Sequence, residues 1–237
     1  SGRIENYPGF KKISGLDLTK RMLEQVDSFQ VQVKRAEVSK IEKESDKFTV
    51  FANGDSYESK AVLLALGVKP RKLGVTGEEK LLRKGVSYCA LCDAPLFKDK
   101  TVAMVGGGDS ALDGALELSE HAKKIYIINR SDNFTAKPDF IRRARSNGKI
   151  TMITERNVTE VTGEKRVESV KLDKPWQESK ELVVDGFFVE IGYIPDRSLP
   201  ESLALELDEN GYIVVSEEME TSKDGFFAAG DITTESA

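Results

Sequence analysis

Residues 100–130, "KTVAMVGGGDSALDGALELSEHAKKIYIINR", constrain the fold more than any other stretch of this chain. An apolar run stops at three glycines, Gly106, Gly107 and Gly108. Beyond them Ala111, Leu112, Ala115, Leu116 and Leu118 fall at helical spacing, which predicts a helix with one buried face over 109–124. Alternating and β-branched residues over 124–130 predict a second strand. Strand, glycine turn, helix and strand within about thirty residues make a βαβ unit, whose strands run parallel.

The turn also fits G-x-G-x-x-A at Gly106, Gly108 and Ala111. Glycines let the backbone approach a pyrophosphate, the unpaired N–H groups at the helix start point at the anion, and Ser110 can add a hydroxyl. A glycine turn without a ligand is the alternative reading. An acidic residue at the end of the next strand would hold a ribose 2′-OH, and an arginine would accept a 2′-phosphate. The chain has Asn129, Arg130 and Ser131 there. One arginine favours the phosphate mildly, and a solvated arginine at a strand end reads equally well.

Elsewhere the pattern is strands and turns. "KAVLLALG", 60–67, reads as a core strand, and "FTVFANGDSYESKAV", 48–62, as a hairpin turned by Asn53-Gly54. Two or three strands are expected over 150–172, one ending near Gly192 and Pro195, and a short one at 226–229. "GLDLTKRMLEQVDSF", 15–29, predicts an amphipathic helix. No apolar run reaches the roughly 18 residues that a membrane helix needs. "SGRIENYPGF" holds no signal core, so a cytosolic setting is the default expectation. A net charge of -5 argues against a general nucleic-acid binder.

The chain has two cysteines, Cys89 and Cys92, in "VSYCALCDAP". A bridge across so short a loop removes little entropy from the unfolded chain, and cytosolic thiols are kept reduced. A structural zinc site takes about four ligands, whereas the two cysteines and the single histidine, His121, make three. Redox chemistry is therefore the first reading, and a buried inert pair the alternative.

Taken together, "ENYPGF", "LLALGVKPRKL", "GVSYCALCDAP", the βαβ stretch, "DGFFVEIGYIPD" and "DGFFAAGDI" resemble, in order and nearly end to end, the low-molecular-weight thioredoxin reductases. These are flavoprotein pyridine nucleotide-disulfide oxidoreductases. The resemblance implies an α/β fold of two Rossmann-like, three-layer nucleotide-binding domains with parallel sheets and β-meander insertions. It divides the chain into an FAD-binding part at 1–70, an NAD(P)-binding domain carrying C-x-x-C at 71–192, and a second FAD-binding part at 193–237. It implies FAD, with NADPH or NADH as donor, and thioredoxin or a thioredoxin-like protein as acceptor, in a homodimer with no nucleic-acid or membrane partner. Cys92 would face the flavin, Cys89 would attack the acceptor's disulfide, and Asp93 would manage protons. Gly106, Gly107, Gly108, Asp109, Ser110 and Arg130 would hold the nicotinamide nucleotide, while Asn6, Gly67, Gly230, Asp231 and Ile232 would hold FAD. Hinges would lie near Gly67–Lys72 and Gly192–Pro195.

The sequence departs from that pattern in three ways. It lacks the family's first βαβ unit and last helix, so an incomplete FAD domain, and a piece of a longer protein, are expected. The basic H-R-R-x-x-x-R run of NADPH-using members stands here as Asn129, Arg130, Ser131 and Thr135, with two of three arginines lost. Charge-assisted contacts contribute about 1.5–3 kcal/mol each, so a large fall in NADPH affinity is expected, with NADH or a ferredoxin-type donor as alternatives. Third, Ala65-Leu66-Gly67 and C-A-L-C-D-A replace A-T-G and C-A-T-C-D-G. The reductase part of an alkyl-hydroperoxide system and a non-catalytic flavin-binding module are the remaining alternatives.

Overall fold

The computed structural model describes residues 3–4 and 7–235. Strand β1 (Arg3–Ile4) pairs antiparallel with β2 (Ile13–Ser14), which leads into α1 (Gly15–Ser28). Ser14 starts that helix: its Oγ accepts from the Asp17 N–H and donates to the Asp17 carboxylate. An antiparallel meander follows, of β3 (Val38–Glu44), β4 (Lys47–Ala52) and β5 (Asp55–Ser59). Asn53 and Gly54 turn β4 into β5 with φ of +49° and +91°, the left-handed pair that a two-residue hairpin needs. Next come β6 (Val62–Leu64), β7 (Val68–Pro70), β8 (Val86–Ser87), α2 (Ala90–Asp93), a 3-10 turn over Ala94–Phe97, and β9 (Thr101–Val105). The alternation continues through α3 (Asp109–His121), β10 (Lys124–Ile128), α4 (Pro138–Ser146) and β11 (Ile150–Ile153). A second meander, β12 (Val158–Thr162), β13 (Ser169–Trp176) and β14 (Ser179–Val183), precedes β15 (Gly186–Val189). The chain closes with β16 (Tyr193–Pro195), α5 (Ser198–Ser202) and β17 (Phe226–Ala228).

These elements form two compact units, residues 1–29 with 70–192 and residues 30–69 with 193–237. The division implied by the resemblance falls at residues 70 and 192; the compact units also part at those places and again between Phe29 and Gln30. Among the described residues β1 and β2 form a two-stranded sheet of their own.

The first unit is built on an all-parallel sheet of order β11-β10-β9-β15-β8. Side chains alternate across it, so each strand feeds two cores. On one face Met104, Ile125, Ile127 and Phe188 pack with Leu112 and Leu118 of α3 and Ala144 of α4. On the other, Ala103, Ile128 and Phe187 pack with Val158, Val170 and Leu182 of the meander. Helices, sheet and meander thus make three layers.

The second unit joins β6 and β17 in parallel and packs Leu64, Phe226 and Ile232 with Ile41, Phe48 and Ile213. Phe48 and Phe226 meet edge to face at 4.6 Å. β7 pairs with β16, and beside that ribbon Lys69 donates to the Asp196 carboxylate. This hydrogen bond, followed by those from Ser198, holds the Asp196 carboxyl down at about 2. The expected core strand over 60–67 is three residues long, with Leu63 and Leu66 exposed at 62% and 44%. Among the described residues β17 alone pairs with β6, so that sheet buries Leu64 and leaves its neighbour open.

One close approach positions the redox turn. Gly114, in the middle of α3, faces α2: a Cβ there would lie 2.7 Å from Ala90 Cβ and 3.2 Å from Met104 Cε. Alanine is about 1 kcal/mol better than glycine in a helix, but overpacking a filled core costs about 1–3 kcal/mol. Gly114→Ala should therefore lower stability by up to about 2 kcal/mol in denaturant unfolding. A gain in stability would mean that α2 moves aside freely.

Candidate redox and nucleotide site

Cys89 and Cys92 are joined in a disulfide, with Cα atoms 5.3 Å apart. Cys89 is the N-cap of α2, and its Sγ accepts from the Cys92 N–H at 3.2 Å. A backbone donor aimed at sulfur favours the thiolate once the bond opens. Cys92 is exposed and Cys89 half-buried. Asp93 reaches this turn through Ser87. The buried Ser87 hydroxyl donates to Asp93 Oδ2 at 2.7 Å and accepts from the Cys89 N–H at 3.0 Å. Ser87 thereby ties the Asp93 carboxylate to the backbone of the residue that carries the first sulfur.

Two further carboxylates hold this loop. Glu190, just beyond β15, accepts from the Ala90 N–H at 3.1 Å, and burial pushes its carboxyl up while that N–H opposes the shift. Glu78 is buried and accepts from the N–H groups of Leu73, Gly74 and Val75 and from the hydroxyl of Tyr88. Burial, reinforced by Glu78, raises the Tyr88 phenol above its ordinary range.

At the carboxyl ends of β9, β10, β11 and β15 lies a cavity of about 690 Å³, where open α/β sheets bind ligands. Gly106, with φ of +147°, has no room for a side chain: a Cβ would sit 2.2 Å from the Glu190 carbonyl oxygen and 2.7 Å from Ala111 Cβ. No side chain caps α3, whose cap residue is Gly108, so the N–H groups at its start face the cavity. This cradle fits a dinucleotide pyrophosphate. Of the residues expected there, Gly106, Gly107, Gly108, Ser110 and Arg130 all line the cavity. Asp109 lines it too, but its carboxylate accepts from the Lys137 N–H at 2.7 Å and pairs with Lys137 Nζ. Asn129 is buried and donates to the carbonyls of Ser131 and Asn133, shaping the loop after β10 instead of offering a ligand contact.

The residues expected to hold FAD fall partly on the second unit. Gly67 follows β6 and Gly230 follows β17, both with left-handed φ and open space where a Cβ would stand. Because β6 and β17 are parallel, the two glycines share the carboxyl end of that pair, beside the exposed Asp231. This open backbone fits a flavin nucleotide. The Ile232 side chain is in the core, and its carbonyl accepts from Ile213 N–H. Asn6 lies outside the described residues.

Sequence reasoning missed Ser87, Glu78 and Glu190. Glu190 carried a signal, a lone carboxylate in the apolar run G-F-F-V-E-I-G. Ser87 and Glu78 carried none, since serine and glutamate near a turn read as solvated residues.

The helical turn that carries the disulfide is hydrogen-bonded, through Ala90 N–H, to Glu190, which also lines the glycine-turn cavity, an arrangement that joins disulfide chemistry to a nucleotide-type fold. Residues 1–237 match the family described as pyridine nucleotide-disulphide oxidoreductase. The chain is 40% identical over 97% of its length to the thioredoxin reductase of Mycolicibacterium smegmatis, spanning 74% of that protein. It is 38% identical over its full length to that of Listeria innocua, again spanning 74%. The structure of Lactococcus lactis thioredoxin reductase superposes with a TM-score of 0.88 at 31% identity, covering all of this chain and 78% of that one. That of T. acidophilum thioredoxin reductase gives 0.84 at 35% identity, covering 99% and 78%. The chain belongs to the pyridine nucleotide-disulphide oxidoreductase family, among its thioredoxin reductases. Among the described residues no helix is long and apolar enough to cross a membrane.

The raised carboxyl of Glu190 sets a pH dependence. The folded state holds its proton more tightly than the unfolded state does, so its contribution favours folding at low pH and declines as pH rises through the unfolded value of about 4.3 up to the higher folded one. Glu190→Gln keeps an oxygen for Ala90 and carries no charge. Its melting temperature should exceed wild type at pH 7 and converge on it near pH 4. An equal gain at both pH values would show that charge is irrelevant.

Proposed function

We propose that the protein passes electrons from a nicotinamide nucleotide, through FAD, to the Cys89–Cys92 disulfide and on to the disulfide of thioredoxin or a thioredoxin-like protein. The observation that carries this reading is Glu190, whose side chain holds the redox turn while its backbone walls the nucleotide cradle. The N–H groups from Gly107 to Ala111 hold the nicotinamide nucleotide by its pyrophosphate. Gly67, Gly230, Asp231 and Ile232, with Asn6, hold FAD. When bound, these groups supply the hydride and electron-pair chemistry that no side chain here provides.

The protein's own part is sulfur and proton chemistry. With two electrons and two protons the Cys89–Cys92 disulfide becomes a dithiol. The Cys89 thiolate, favoured by the Cys92 N–H, attacks one sulfur of the acceptor disulfide. A mixed disulfide forms, and the departing acceptor thiolate takes a proton. Cys92 then attacks the Cys89 sulfur, restoring the internal disulfide and releasing the second acceptor thiolate, which is protonated in turn. Asp93, oriented by Ser87, supplies and recovers these protons. The family supports a homodimer in a cytosolic setting.

The full-length protein should be yellow, and nicotinamide nucleotide should bleach it. Cys89→Ser and Cys92→Ser should each lower thioredoxin reduction by about 10³-fold or more while the flavin spectrum persists. Either variant retaining turnover would sink the reading.

Asp93→Asn preserves an acceptor for Ser87, so its fold should be intact. Thioredoxin reduction should fall about 10²-fold while reduction of the flavin by the nucleotide keeps its rate. Unchanged thioredoxin reduction would leave Asp93 as a helix residue only.

A further inference from the structure

We propose that Glu190 is a positioning residue of the redox turn: its carboxylate fixes the peptide that follows Cys89 and, by its charge, holds back the Cys89 thiolate, which makes the reduced pair a stronger electron donor. The inference deepens the reading above of Cys89 as the attacking sulfur and rests on it. Glu190 is anchored from the sheet. Its N–H donates to the Val105 carbonyl at 2.9 Å, and its own carbonyl oxygen lies against Gly106, where a Cβ would come within 2.2 Å. From that backbone the side chain reaches the neighbouring turn, where Oε1 accepts from the Ala90 N–H at 3.1 Å. Ala90 is fully buried, with its methyl facing Gly114 of α3. Its N–H is out of reach of water and needs an acceptor inside the protein, which Glu190 supplies.

The short turn α2 thus divides its N–H groups. Ala90 N–H serves the carboxylate, and Cys92 N–H serves Cys89 Sγ. In the disulfide that sulfur is neutral. Once the pair is reduced, a Cys89 thiolate puts a second negative charge on the residue whose peptide the carboxylate holds. Like charges that close disfavour each other, the more so where burial thins the solvent between them. Burial already pushes the Glu190 carboxyl up. Among the described residues no lysine or arginine forms an ion pair with Glu190. Of the charged groups that share its cavity, Asp109 pairs with Lys137, Arg156 donates to the carbonyls of Pro175 and Glu155, and Arg71 and Arg130 are exposed. Asp113 and Glu117 of α3 line a different cavity, and Asp93, on the far side of the turn, is itself an acid held by Ser87. Cys92 N–H therefore favours the thiolate and Glu190 opposes it. A stabilised reduced form makes a dithiol pair an oxidant, so a reduced form held back in this way makes it a reductant.

The test reads the sulfur directly in the full-length protein, with no nucleotide and no acceptor. The Cys89 thiol pKa comes from the pH dependence of iodoacetamide alkylation in a Cys92→Ser background, which leaves one thiol and keeps the backbone N–H. The potential of the intact pair comes from equilibration with dithiothreitol redox buffers. Glu190→Gln keeps an oxygen for Ala90 and drops the charge. It should lower the Cys89 thiol pKa by about one unit and shift the equilibrium by up to about tenfold toward the dithiol, or about 30 mV. Glu190→Asp keeps the charge and should stay close to wild type in both readings. A Glu190→Gln protein with the wild-type thiol pKa and potential overturns the inference. Equal shifts in Glu190→Gln and Glu190→Asp assign the effect to shape and overturn it as well. Neither reading needs thioredoxin, so a wild-type protein that fails to reduce thioredoxin counts against the proposed function alone.

Discussion

The backbone of Gly106 runs so close to the Glu190 carbonyl that no side chain can stand between them. The contact is set by the pairing of β9 with β15, which puts Val105 opposite Val189 and sends both chains out of the same sheet edge. From it the site assembles in two directions. On the β9 side the glycine turn opens α3 and its unpaired N–H groups. On the β15 side the next atoms belong to a carboxylate that holds Ala90, between the two sulfurs. Glycine-turn cavity and redox turn therefore share one residue, Glu190, within one unit.

Much of this is legible in the sequence because it follows from short-range rules. The βαβ stretch betrays itself by apolar runs on either side of Gly106–Gly108, and the hairpin by Asn53-Gly54, whose left-handed angles few other pairs accept. The C-x-x-C pair stands out because the chain has no other cysteine. What was illegible depends on distant partners. Ser87 orients Asp93 across a six-residue loop, and Glu78 caps N–H groups of a loop and a tyrosine ten residues on. Arg156 N–H meets the Asn129 carbonyl only because β10 and β11 pair in parallel register. The apolar run over 60–67 yields a three-residue strand, since an apolar run alone does not tell how many neighbours a strand has.

Asn129 illustrates the same contrast. Its place directly after β10 reads in the sequence as a ligand-facing position, whereas the fold uses its amide to close its own loop onto the carbonyls of Ser131 and Asn133.

Glu78 gathers three consecutive peptide groups and a phenol around one buried carboxylate. One buried side chain thereby fastens the segment at Leu73–Val75 to Tyr88, the residue preceding Cys89, and the turn that carries the sulfur pair is moored to a stretch fourteen residues upstream.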